Sequence, residues 1–253
     1  MSLEQLVVLL AAAAGAGWID AVVGGGGLVQ LPALMVAGVP PVQAMATNKF
    51  ASIFGTASAA VTYARTTKVD KQVALPAGAL AVLSAGLGAS AAAAISANVL
   101  RPVVMVILVA VAAFVTLRPS LGAIPHPHLR TRARIITTIT VTGVAIAFYD
   151  GIMGPGTGTF LIIAFTTILG LDFVHASATS KIINTGTNLG ALVVFGLQGH
   201  VMWTLGLGMA VCNIAGAQIG ARMALKRGTS FVRIVLVCVV LAMVTRLAWL
   251  QFV

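Results

Sequence analysis

Acidic residues are nearly missing from this chain. Five Asp and Glu stand against fifteen Lys and Arg in 253 residues, and only 8% of the residues are charged. Soluble domains carry roughly 25%, so this scarcity excludes a soluble globular domain. Cysteine is as scarce: Cys212 and Cys238 lie far apart in apolar runs. They supply neither a disulfide framework nor a metal cluster, and read as small buried hydrophobes. Alternation of apolar and polar residues is missing too, which excludes an outer-membrane barrel. The net charge of +10 comes without a basic patch interleaved with aromatics, so nucleic acid is excluded as a partner.

What is there is apolar. Hydrophobic residues make up 59% of the chain, and the mean hydropathy is +1.06. Runs of helix-spanning length recur at about 4–23, 27–39, 43–64, 72–97 and 101–118. After a basic linker they return at about 135–153, 157–171, 174–197, 202–221 and 231–250. The first run follows Met1-Ser2-Leu3-Glu4-Gln5, with no Lys or Arg, and reads as a retained segment rather than a signal peptide. The expected fold is an all-α membrane protein surrounded by lipid.

The two halves resemble each other. Thr47, Lys49 and Val69 precede Thr179, Lys181 and Val201 by one spacing of 132 (181 − 49), and Gly88 precedes Gly220 and Arg101 precedes Arg233 by the same. Asp20 and Asp150 are offset by 130 (150 − 20), so a two-residue insertion follows the second glycine break. This reads as a duplication: a first repeat at 1–118, a basic cytoplasmic linker at 119–132 and a second repeat at 133–253, each repeat with about five helical segments. Loop charge reverses between the halves. Arg65, Lys68 and Lys71 follow the third segment of the first half, whereas Arg222, Lys226 and Arg227 follow the fourth of the second. Placing both groups and the linker in the cytoplasm satisfies the positive-inside rule. The repeats are then inverted and both termini lie outside.

In each half an acidic residue precedes a glycine run. Asp20 leads into Gly24–Gly27, and Asp150 into Gly154-Pro155-Gly156-Thr157-Gly158. Each glycine costs a helix interior about 1 kcal/mol relative to Ala, so the backbone breaks there. The segments after the breaks are short, either re-entrant or steeply shortened spans near the bilayer midplane. Broken segments at matching positions of inverted repeats mark the binding sites of secondary transporters. No Gly-Lys-Ser/Thr follows either run, so neither is a nucleotide loop.

Lys49 and Lys181 lie about two turns into long apolar helices. A buried charge there faces a partner or a cavity. One reading pairs Asp20 with Lys49 and Asp150 with Lys181 as structural locks. The other gives the lysines to an anionic substrate, with Asp20 and Asp150 as proton carriers where coupling exists. Lys49, Ser52 and Thr56 share one helical face, as do Lys181, Asn184 and Asn188. Thr47, Asn48, Thr179 and Ser180 lie just before the lysines. Backbone N–H groups at the breaks, at Gly25, Gly26 and Gly156, add donors for an oxyanion. The amides make Lys181 the expected leading residue. His175, His200, His126 and His128 have loop or interfacial positions. No catalytic set, metal site or cofactor is expected.

Two blocks, Gly24-Gly25-Gly26-Gly27-Leu28-Val29-Gln30-Leu31-Pro32 and Ala44-Met45-Ala46-Thr47-Asn48-Lys49, resemble the TauE/SafE sulfite exporter family. So do Ala176-Ser177-Ala178-Thr179-Ser180-Lys181 and Gly199-His200-Val201. The resemblance spans both repeats. It implies a multi-pass carrier in a bacterial or archaeal inner membrane that moves sulfite, a sulfonate or a related organic anion. Asn48 where the mate is Ser180, and Pro155 inside the second glycine run, are departures that bear on the substrate. Export of an anion from a cell that is negative inside is downhill by about 2.3 kcal/mol per charge per 100 mV. An exporter therefore needs no coupling ion, and an importer does. The rivals are a cation or metal carrier, a proton-coupled importer of an organic anion, an intramembrane enzyme and a scaffold without flux. Assembly into a homo-oligomer is left open.

Overall fold

The computed structural model describes the backbone of residues 2–92 and 125–252, and side chains over the same ranges except 240 and 243–252. All regular structure among them is helical. The helices are α1 (Leu3–Val23), α2 (Gly27–Val36), α3 (Pro41–Thr66) and α4 (Lys71–Ala92), then α5 (Arg132–Ile152), α6 (Thr157–Ile168), α7 (Phe173–Leu197) and α8 (Trp203–Phe252). Most boundaries fall within a few residues of those expected from the apolar runs. The expected segment at 101–118, residues 119–124 of the linker, Arg101 and Arg118 lie outside the described residues. One expectation needs correcting. The expected loop at 222–230 narrows to a kink: two helices, together called α8, meet at Gly228 (φ 73°, ψ −166°), whose backbone is not helical. Arg222, Lys226 and Arg227 extend from helix, where long cationic side chains reach polar surroundings without unwinding the backbone.

Local chemistry sets the ends. Ser2 and Gln5 form a capping box at α1. Pro41 opens α3. Asp172 accepts the N–H groups of Val174 and His175 at the start of α7. At the breaks, Gly24 (φ 76°), Gly154 and Gly156 (both φ 84°) adopt the left-handed region, which costs glycine least. The helices that follow are short: α2 has 10 residues and α6 has 12. At 1.5 Å per residue neither reaches across a hydrocarbon core of about 30 Å. α1, α4, α5 and the Trp203–Val239 part of α8 are long and apolar enough to do so. α5 also carries a π turn at Val141–Ile146 on the approach to Asp150.

The helices pack through small residues, as membrane helices do. A Cβ on Gly216 would sit 1.9 Å from the Ala14 carbonyl oxygen, bringing α8 onto α1. A Cβ on Gly151 would sit 2.1 Å from that of Ala85, and one on Gly190 2.0 Å from that of Val82, so α5 and α7 both close on α4. Gly88 and Gly220, mates at the 132 spacing, abut the carbonyls of Phe148 and Trp18. Each therefore lands on the first helix of the opposite half. The main partnerships all cross in this way: α1 and α3 with α8, α4 with α5 and α7, α3 with α7.

Candidate functional site

The two backbone breaks meet. The Gly158 N–H donates to the Gly24 carbonyl at 3.1 Å, and a Cβ on Gly24 would lie 2.1 Å from the Gly158 Cα. The last carbonyls of a helix have no partner inside it. At α1 each finds one elsewhere. The Tyr63 hydroxyl donates to Ala21 O at 3.0 Å, Ser177 to Val22 O at 3.0 Å and Thr159 to Val23 O at 2.9 Å. The Lys181 ammonium donates to Asp20 O, at the negative end of the α1 dipole.

The buried ions pair crosswise. Lys49 of α3 lies 2.6 Å from Asp150 of α5, and Lys181 of α7 lies 3.4 Å from the Asp20 carboxylate of α1. This corrects the expected pairing of Asp20 with Lys49 and Asp150 with Lys181. The reason is the crossing at Gly24 and Gly158, which brings each helix end to the lysine of the opposite half. Burial is deep: Lys49 is 4% exposed, Asp150 2% and Lys181 0%.

The two pairs are unlike. Asp20 is clamped, with Thr56 donating to Oδ2 at 3.1 Å and Asn184 to Oδ1 at 3.4 Å. At Asp150, Thr157 donates to Oδ1 at 2.6 Å. Its Oδ2 is the oxygen that pairs with Lys49. Asn48 Oδ1, also buried, has no hydrogen bond. Lys49 has no second partner among the described residues. Gly154 abuts this pair, and a Cβ there would lie 3.1 Å from Lys49 Nζ.

A cavity of about 20 Å³ opens between the pairs, room for water rather than for a larger ligand. Asp20, Asp150 and Lys49 line it, with the amides of Asn48, Asn184 and Asn188 and the hydroxyls of Ser52 and Thr157. Gly24, Gly27 and Gly154 supply its backbone wall. Asn184 and Asn188, which share a helical face with Lys181, thus open onto the cavity beside Lys49. Lys181 itself does not line it. Thr56 lies one turn beyond Ser52, bonded to Asp20 and receiving the Asn188 amide at 3.4 Å.

The remaining expected residues lie off the cavity. Thr47 accepts the Met202 N–H at 3.1 Å and Thr179 the Asp70 N–H at 3.3 Å, mates that again tie one half to the other. Ser180 donates to Ser177 O at 2.8 Å. Gly25 faces Val239, Gly26 faces the Ala16 carbonyl, and Gly156 makes the turn into α6. Thr157, Tyr63, Ser177 and Thr159 were not singled out from sequence. Only Thr157 carried a signal, a hydroxyl immediately after a glycine break. His175 pairs with Asp172, and the His126 N–H donates to Gly170 O, docking the linker on the α6–α7 turn. Among the described residues no group of His, Cys, Asp and Glu could hold a metal ion.

An apolar chain, all-helical over its described residues, that brings Asp20, Lys49 and Asp150 together at one cavity has the form of a multi-pass membrane transporter. The chain belongs to the TauE/SafE family: the family model described as "Sulfite exporter TauE/SafE" matches residues 9–247. It is 37% identical over 247 residues to a probable membrane transporter protein, ORF9, of Sinorhizobium sp, covering 98% of this chain and 94% of the relative. It is 33% identical over 247 residues to the probable membrane transporter protein YfcA of Escherichia coli K12, covering 96% and 90%. A probable membrane transporter protein of Haemophilus influenzae is 28% identical over 251 residues, covering 99% and 97%. No solved structure matches the chain.

Proposed function

We propose that this protein is a secondary transporter that carries a small anion, sulfite, a sulfonate or a related organic anion, across the inner membrane of a bacterial or archaeal cell. The observation that carries this reading is Lys49, a buried ammonium with a single partner, at a cavity that also holds three amides and two hydroxyls. Ammonium, amide and hydroxyl donors are the groups that replace water around an oxyanion. The alternating-access frame is a pair of inverted repeats meeting at the Gly24–Gly158 crossing, with both termini outside. Export is the proposed direction. Proton-coupled uptake is the second reading, and a buried carboxylate at the cavity, that of Asp150, favours it.

The test is flux into liposomes holding the purified full chain, with labelled sulfite and ethanesulfonate supplied separately. Saturable uptake of at least one, lost in Lys49→Gln, is the expected result. Liposomes no more permeable than empty ones to either anion would overturn the proposal. Uptake of a metal cation instead would return the cation carrier.

A further inference from the structure

Two buried oxygens face the cavity: Asn48 Oδ1, which has no hydrogen bond, and Asp150 Oδ2, which is ion-paired with the Lys49 ammonium at 2.6 Å. They lie on helices from opposite halves, are 8% and 2% exposed, and both residues line the same space. A buried acceptor left unbonded is costly, so Asn48 Oδ1 waits for a donor. A metal cation is a poor candidate, because the Lys49 ammonium already stands 2.6 Å from that carboxylate oxygen. A proton is a good one. Placed on Asp150 Oδ2 it turns an acceptor into a donor, and it releases Lys49 from its only ion pair. The cavity has room for a water that would link the new donor to Asn48.

Charge bookkeeping fixes the number of protons. Asp20 and Asp150 balance Lys49 and Lys181, so the resting site is neutral. A monoanion entering it would leave one negative charge unbalanced in a low-dielectric interior, at a cost of several kcal/mol. With Asp150 protonated the site is +1, and a monoanion makes it neutral. Asp20 cannot take this part as easily. Its carboxylate holds donors from Thr56, Asn184 and Lys181, and Lys181 is also fixed by the Asp20 carbonyl. The groups around Asp150 are few. They are Lys49 on α3, Asp20 on α1 with Lys181 of α7 bonded to it, and Tyr149 on its own helix, whose hydroxyl donates to Pro155 O at 2.9 Å. α2, α4 and α6 present no charged side chain to the cavity.

We propose that Asp150 takes up one proton with each monoanion carried, so that transport is an electroneutral symport. The O–H bond forms on Asp150 Oδ2 with a proton from the aqueous phase, Lys49 stays an ammonium and turns to the anion, and both charges leave together. This rests on the anion-transport reading. It takes the proton-coupled reading over potential-driven export: direction follows the anion and pH gradients, not the membrane potential.

The experiment uses the full chain in liposomes with whichever of sulfite or ethanesulfonate passed the flux test. Imposing 100 mV of either sign with potassium and valinomycin should leave the steady accumulation ratio unchanged, and a lumenal dye should report acidification as the anion enters. A ratio that moves about 50-fold per 100 mV, the value for one uncompensated charge, would overturn the coupling and leave anion transport standing. Flux of neither anion sinks both proposals. In detergent, anion affinity should weaken about tenfold per pH unit once Asp150 is ionised in the free protein, since binding then takes up one proton. Asp150→Asn should bind the anion without that pH dependence and turn accumulation voltage-dependent. Where that variant fails to fold, infrared difference spectra of the wild type decide. Adding the anion should raise a protonated-carboxyl band, shifted in Asp150→Glu, and absence of the band would refute the assignment.

Discussion

At the scale of single residues the two lysines have divided labour. Lys181 caps α1, holding a carbonyl as well as a carboxylate, whereas Lys49 holds a carboxylate alone. Lys181→Gln should therefore lower stability by about 3–5 kcal/mol, the cost of breaking a buried pair, and show it as a fall in the thermal midpoint. Lys49→Gln with Asp150→Asn removes both charges of the other pair. It should unfold near the wild-type midpoint yet show no stabilisation by anion. A double variant that still binds anion would make Lys49 structural. The sequence singled out both lysines and both aspartates, because a charge in an apolar run has few explanations. It could not say who pairs with whom, since spacing along the chain does not distinguish a partner within a half from one across it. It also pointed to Lys181 on account of Asn184 and Asn188. The distinction lies in the caps on α1: Tyr63 and Ser177 donate to it, while their mates at the same spacing, Phe195 and Met45, have no hydroxyl to give α5.

At the scale of helices, ends were legible and contacts were not. Apolar runs and capping residues locate α1 to α7 closely, because burial and backbone satisfaction act locally. The π turn in α5 depends on tertiary packing and leaves no local mark. Which glycines matter is likewise a property of contact. Alanine at Gly24 or Gly158 would drive a Cβ to 2.1 or 2.3 Å of the other's Cα, and a backbone at that distance cannot step aside. Both variants should lose the monodisperse peak in size-exclusion chromatography or fall by several °C in thermal midpoint. Gly15→Ala is the control, since a Cβ there meets nothing within 4 Å, and it should be neutral or slightly stabilising from helix propensity. Equal loss in all three would mean that the crossing is no tighter than the rest of the bundle.

At the scale of the whole molecule the proposed inversion makes a labelling prediction. Single cysteines at Thr67 and Ser230 should be shielded from an impermeant thiol reagent outside intact cells, and one at Gln198 should react. Reaction at Thr67 and Gln198 alike would make the repeats parallel. The crosswise pairing also bears on how the chain is made. Lys181 follows Asp20 by 161 positions, so α1 enters the bilayer long before its counter-ion and most of its caps have been synthesised. Until α7 arrives, Asp20 has no Lys181 to pair with. Biogenesis of this protein thus has a built-in interval in which its first half is complete in sequence and unfinished in charge.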